Sequence, residues 1–172
     1  MDWFFLIGFV LCFLGYATHT YSHYQEYRRK KIKEDLLTKL RHVMIPIGYF
    51  GWFHMLFADP TNLGLPYFAT IIGLLIGIAG LGFYILSALQ KKGHGEEDHL
   101  ITKGIYSRIK NPMYLGIILM HVGFPVGWNK LFTLVSAVIW IPQIFVWRYW
   151  EEKHLEKRFG KKYLKYKERT VF

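Results

Sequence analysis

The 172-residue chain has a single cysteine, Cys12, set inside an apolar run. No intrachain disulfide can form, and cysteine usage says nothing of the redox compartment. Acidic residues are also scarce, 12 against 22 lysines and arginines, for a net charge of +10. That excess would suit a nucleic-acid partner if it formed one surface stripe. It falls instead into blocks separated by apolar runs, which argues against that partner. Polar residues are nearly absent from whole stretches such as 67–89. A soluble helix needs a polar outer face, so these stretches exclude an ordinary soluble domain and point to a bilayer as solvent. There is no internal repeat and no low-complexity tract, which excludes a solenoid. Before the first apolar run there is no basic residue; Asp2 precedes it, and Arg28-Arg29-Lys30-Lys31 follows. A secretory signal has the opposite order, so a retained first helix with its N-terminus outside is expected.

What is present reads as an all-α, polytopic integral membrane protein with about five transmembrane helices and a C-terminal cytoplasmic helical segment. The expected spans are 3–18, 43–58, 66–89, 112–126 and 131–147. The polar stretch 19–42 suits a surface helix or a solvated linker equally. Asp59-Pro60-Thr61-Asn62 signals a turn, and Gly127-Trp128-Asn129 closes a tight helical hairpin. The basic residues alternate with this layout. Seven lie between the first two spans, none between the second and third, five between the third and fourth, one between the fourth and fifth, and nine after the fifth. Because cytoplasmic loops favour Lys and Arg, five spans put 21 of the 22 on the cytoplasmic side. Residues 1–172 are expected to form one membrane domain, with two spans and a linker in 1–65 and a catalytic core in 66–172. The loop 90–104, the entrance to the fourth span and the tail after the fifth would then meet at one interface.

Three segments could carry chemistry. In Lys110-Asn111-Pro112-Met113-Tyr114, Asn111 suits an N-cap and Pro112 the first helical turn. Spacing alone favours a capped helix start flanked by the interface tyrosines Tyr106 and Tyr114. In Arg148-Tyr149-Trp150-Glu151-Glu152, Arg148 and Glu152 share a helix face, which alone favours a salt-bridged surface helix. These charges, however, stand where a long apolar helix leaves the membrane, a position that points to function. Gly77-Ile78-Ala79-Gly80-Leu81-Gly82 suits close helix packing. No strand precedes it, so it is not a dinucleotide fingerprint.

Taken together, Leu100-Ile101-Thr102-Lys103-Gly104-Ile105-Tyr106, Asn111-Pro112-Met113-Tyr114-Leu115-Gly116, and Glu151-Glu152 with Phe159-Gly160 and Tyr163/Tyr166 resemble the isoprenylcysteine carboxyl methyltransferase and phospholipid methyltransferase superfamily. The resemblance covers about 80–171. It implies a membrane-integral methyltransferase that uses S-adenosyl-L-methionine and releases S-adenosylhomocysteine, with a lipid or lipid-linked acceptor. Carried over residue by residue, it implies a cofactor shell of Gln90, His99, Leu100, Ile101, Tyr106, Asn111, Pro112, Met113, Tyr114 and Glu151 or Glu152. It adds Gly80 and Gly82 as the Gly-x-Gly of a membrane helix, and Arg148 with Glu152 as the substrate-positioning and catalytic pair. The chain departs from the superfamily in having Lys110-Asn111-Pro112 where Arg-His-Pro is common. His99 also stands seven, not eight, residues before Tyr106.

No metal site is expected, since His94, Glu96, Glu97, Asp98 and His99 read as an acidic loop beside a basic interface. A carboxylate acceptor would need no general base, whereas an amine would, with His99, His154, Glu151 and Glu152 as candidates. The competing readings are an NADPH-dependent sterol-type reductase of related fold and a non-catalytic membrane scaffold.

Overall fold

A computed structural model describes residues 2–28, 36–93 and 99–172. The described residues form six α-helices and one 3-10 turn: α1 Trp3–Arg28, α2 Leu36–Ala58, α3 Tyr67–Gly93, the turn Gly104–Ser107, α4 Pro112–Gly127, α5 Leu131–Phe159 and α6 Lys161–Lys167. They contain no strand, only isolated bridges between Asn62 and Lys130 and between Ile109 and Val171. Basic residues 29–31 and the acidic loop residues His94, Glu96, Glu97 and Asp98 lie outside the described residues.

The helices do not stop where the apolar residues stop. Backbone hydrogen bonds continue past the apolar residues, so α1 runs on to Arg28 and α5 to Phe159. Residues 19–28 of the expected linker therefore extend α1, and 36–42 open α2. Among the described residues, three helical stretches are long and apolar enough to cross a membrane: Trp3–Gln25, Tyr67–Lys91 and Leu131–Phe159. α4 is apolar but has only 16 residues, about 24 Å at the α-helical rise and less than the hydrocarbon thickness. Length and composition thus support three of the five expected spans. Large apolar side chains face outward, among them Phe68, Leu75 and Val138. A lipid solvent makes that arrangement stable.

Two hairpins, α1–α2 and α3–α4, pack around α5. Small residues set the α3–α4 distance. A Cβ on Gly80 would stand 2.7 Å from the Gly116 carbonyl oxygen, and one on Gly116 would stand 2.6 Å from the Gly80 carbonyl oxygen. Between α1 and α4, Tyr16 and His121 form a buried polar pair. His121 Nδ1 lies 2.8 Å from the Ile117 carbonyl oxygen, and the Tyr16 hydroxyl lies 2.9 Å from Nε2.

At the end of the bundle opposite Glu151, buried Asp59 joins the α2–α3 turn to the start of α5. Its Oδ2 accepts from the Thr133 N–H (2.7 Å) and hydroxyl (2.9 Å), and its Oδ1 accepts from the Thr61 N–H (3.0 Å) and hydroxyl (2.6 Å). Lys130 Nζ donates to its carbonyl oxygen at 2.7 Å. Burial pushes the Asp59 carboxyl up, but these hydrogen bonds outweigh it and hold the group below its ordinary range. Its contribution to stability is therefore present above the unfolded-state pKa and is lost as pH falls through the folded value. Replacing Asp59 with Ala should cost about 2–4 kcal/mol, since it strands the buried Thr133 donors. Thermal unfolding in detergent should show a lower midpoint at pH 7, and the gap to wild type should narrow in acid.

Candidate active site

The end of the bundle that holds Glu151 begins with a glycine turn. Gly104 has φ +61°, a left-handed conformation that suits glycine, and a Cβ there would come 2.7 Å from Gln90 Cδ. Gln90 thus packs on the turn that leads into Tyr106. Ser107 Oγ donates to the Gly104 carbonyl oxygen at 2.7 Å and closes the turn. Tyr106 is buried, and burial raises its pKa.

α4 then starts at Pro112, in the first turn, where the missing N–H is harmless. Asn111 occupies the N-cap position, and its carbonyl accepts the Leu115 N–H at 3.1 Å, but its side chain makes no capping hydrogen bond. The expected cap is replaced by a tertiary contact. Asn111 Nδ2 donates to Glu152 Oε1 at 2.7 Å and to the Phe172 carbonyl oxygen at 3.2 Å.

Glu151 and Glu152 are adjacent in α5, so their side chains leave the helix about 100° apart, and they meet different partners. Glu152 is 7% exposed and sits among cations. Arg148 Nε donates to Oε1 at 2.9 Å, Lys167 Nζ pairs with Oε2 at 2.9 Å, and Lys110 Nζ lies 3.9 Å from Oε1. Hydrogen bonding to Glu152 raises the Lys167 pKa, whereas burial lowers that of Lys110 despite the attraction of Glu152. Glu151 instead accepts from the Tyr114 hydroxyl at 2.6 Å and from Lys91 Nζ at 3.0 Å. It lines a cleft with Lys91, Tyr106, Lys110, Asn111, Met113 and Tyr114.

The tail encloses this site. Val171 pairs with the strand-like stretch before α4: the Lys110 N–H donates to its carbonyl oxygen (3.1 Å), and its own N–H donates to the Arg108 carbonyl oxygen (2.9 Å). The Phe172 ring lies 4.4 Å from the Arg148 guanidinium carbon. The Tyr166 hydroxyl donates to the Tyr106 carbonyl oxygen at 2.7 Å.

The expected site residues separate accordingly. Tyr106, Asn111, Met113, Tyr114 and Glu151 meet at the cleft. Pro112 is buried beside them as the helix start, and Gln90 supports the turn. Arg148 and Glu152 are engaged with each other and with the tail, so Glu151 is the carboxylate facing the cleft. Gly80 packs against α4, and a Cβ on Gly82 would touch nothing within 4 Å; neither lines the cleft. His99 is exposed, and His99, half-buried Leu100 and half-buried Ile101 are not among the cleft-lining residues. Sequence reasoning missed Lys91 and Lys110 as cleft residues because each had already been read as a topology marker. It also missed Lys167 and Phe172, which carry no motif.

Chemically, the cleft combines one carboxylate, two ammonium groups, an amide, two phenol rings and a thioether. This set suits a ligand carrying charges of both signs and a flat or cationic portion.

A helical membrane scaffold with such a cleft defines a class, and the comparisons with known proteins name it. The phospholipid methyltransferase family model matches residues 68–162, more than half of the chain and every cleft-lining residue, so the chain belongs to that family. Among curated proteins, it is similar to protein-S-isoprenylcysteine O-methyltransferase B of Arabidopsis thaliana, with 30% identity over 98 residues, 54% of this chain and 46% of the relative. It is also similar to protein-S-isoprenylcysteine O-methyltransferase A of the same plant, with 38% identity over 86 residues, 46% of this chain and 41% of the relative. The matched region thus spans under half the length of these relatives. No solved structure matches the chain.

The two carboxylates should respond differently to mutation. Glu152→Ala leaves Arg148, Lys110 and Lys167 without their shared counter-charge and should destabilise the fold by roughly 3–5 kcal/mol. Glu151→Gln keeps a Tyr114 partner and should unfold within about 1 kcal/mol of wild type. Denaturation followed by tryptophan fluorescence in detergent separates the two.

Proposed function

We propose that the chain is an S-adenosylmethionine-dependent methyltransferase acting on a lipid or lipid-linked acceptor at the cytoplasmic face of a membrane. Supporting this reading are the family match and one observation above all: Glu151 of α5, Tyr114 of α4, and Asn111 and Lys110 just before α4 converge on a single cleft within the matched region.

The donor set of the cleft fits the cofactor. Glu151 would hold the amino-acid ammonium group, Lys110 and the Asn111 amide the carboxylate, and Tyr106 and Tyr114 would pack on the adenine or the sulfonium. When bound, S-adenosylmethionine supplies an already activated methyl group on a sulfonium. The protein then has mainly to align a nucleophile and exclude water. Tyr106, Pro112 and the tail that closes over Arg108–Lys110 serve the second task. Lys91 and the Tyr114 hydroxyl fix the Glu151 carboxylate from two helices, so its orientation exists before any ligand arrives. A carboxylate acceptor would need no proton removed.

The basic-residue pattern supports a five-span topology in which α2 and the short α4 also cross and the cleft end faces the cytoplasm. The plant relatives' names make an isoprenylcysteine carboxylate one candidate acceptor, and the family's name makes a phospholipid another.

Isothermal titration of the detergent-solubilised protein with S-adenosylhomocysteine tests the reading. Saturable binding is expected, weakened about tenfold or more by Glu151→Gln, the equivalent of one charge-assisted hydrogen bond. A folded protein that binds none of it would refute the reading.

A further inference from the structure

On α1, outside the family-matched region, His19 has a buried Nδ1 with no hydrogen-bond partner among the described residues. A buried polar atom left unsatisfied is costly, so it requires an explanation. Its surroundings are ordered. The His19 ring meets both His23 and Trp147 edge-on, with centroids 4.4 Å apart in each case, and His23 is stacked on Trp147 at 6.4 Å. Trp147 is itself held in place, its Nε1 donating to Thr20 Oγ1 at 2.8 Å.

Trp147 stands four residues before Glu151, on the same face of α5 and one turn closer to the apolar part of the helix. Both imidazoles lie within electrostatic range of the Glu151 carboxylate, and Arg41 of α2 is the further charged group acting on His19. The cluster therefore lies beside Glu151, on the apolar side of the cleft. A water-soluble cofactor reaches Glu151 from the polar end of the bundle. The His19, His23 and Trp147 cluster lies on the apolar side of Glu151, the side on which a lipid tail would lie.

We propose that His19, supported by His23 and Trp147, binds the methyl acceptor, its Nδ1 forming a hydrogen bond to the polar head group of a lipid-tailed molecule. This inference rests on the methyl-transfer reading and adds to it an acceptor contact supplied by α1. It also gives the N-terminal hairpin a role in substrate recognition.

Two variants separate hydrogen bonding from packing. His19→Phe keeps a ring against Trp147 and His23 but lacks nitrogen, and His19→Gln restores a hydrogen-bonding group. S-adenosylhomocysteine affinity is measured by calorimetry. Methyl transfer from labelled S-adenosylmethionine is measured with N-acetyl-S-farnesylcysteine, phosphatidylethanolamine and total membrane lipids in mixed micelles. The expected result for His19→Phe is cofactor-product affinity within about twofold of wild type and an acceptor KM raised about tenfold, the loss of one hydrogen bond to a polar ligand. His19→Gln should fall between the two. A His19→Phe protein with unchanged KM and kcat overturns the proposal. So does one that loses S-adenosylhomocysteine binding, because His19 would then serve the cofactor site or the fold. A wild-type protein that binds the product but transfers to none of these acceptors also overturns it. Failure of the wild type to bind the product refutes instead the reading on which it rests.

Discussion

Everything at the functional end of this protein depends on the buried carboxylate of Glu152. One side chain links the entrance of α4 through Asn111, the preceding turn of α5 through Arg148, and the C-terminal helix through Lys167. A carboxylate in that position would be expensive alone, and three cations and an amide make it tolerable. The same contacts fix the geometry. With Asn111 held by Glu152, Pro112 starts α4 beside α5, and Tyr114, on the first turn, reaches Glu151. The cleft is a consequence of how its neighbouring ion cluster is satisfied.

This division of labour explains a Glu-Glu pair at the end of a membrane helix. Adjacent residues on an α-helix leave it about 100° apart, and here the two carboxylates meet different partners. One carboxylate ties the helices together and the other is presented, already oriented by Lys91 and Tyr114. The tail completes the enclosure with few residues: Val171 reads the backbone before α4, and Phe172 covers the Arg148 guanidinium. Arg148 is thereby a structural partner of Glu152.

The helical membrane character was legible because it rests on the absence of polar residues over long stretches, a property local to the sequence. Basic-residue alternation gave the grouping of the loops, and the convergence of Asn111, Tyr114 and Glu151 follows the resemblance that linked their segments. Helix ends were not legible. α1 and α5 run on through charged residues because nothing in the backbone stops them at the membrane surface, and the shortness of α4 shows only when its start and its hairpin are both fixed. Nor could spacing separate Glu151 from Glu152, since one residue of rotation decides it and that rotation is set by cations from three distant segments. Asn111 carried a local signal for capping that tertiary contacts overrode. Gly80 carried a motif whose packing reading the structure favours, with Gly116 in contact across α3 and α4.

The cofactor site proposed at the Glu151 end leaves the Asp59 end purely structural. Amide hydrogen exchange of the solubilised protein, with and without S-adenosylhomocysteine, tests this most directly. The account predicts added protection in 104–115 and 147–153 together, with 59–66 and 127–133 unchanged. Protection confined to the Asp59 end, or in only one of the two segments flanking the cleft, would contradict it.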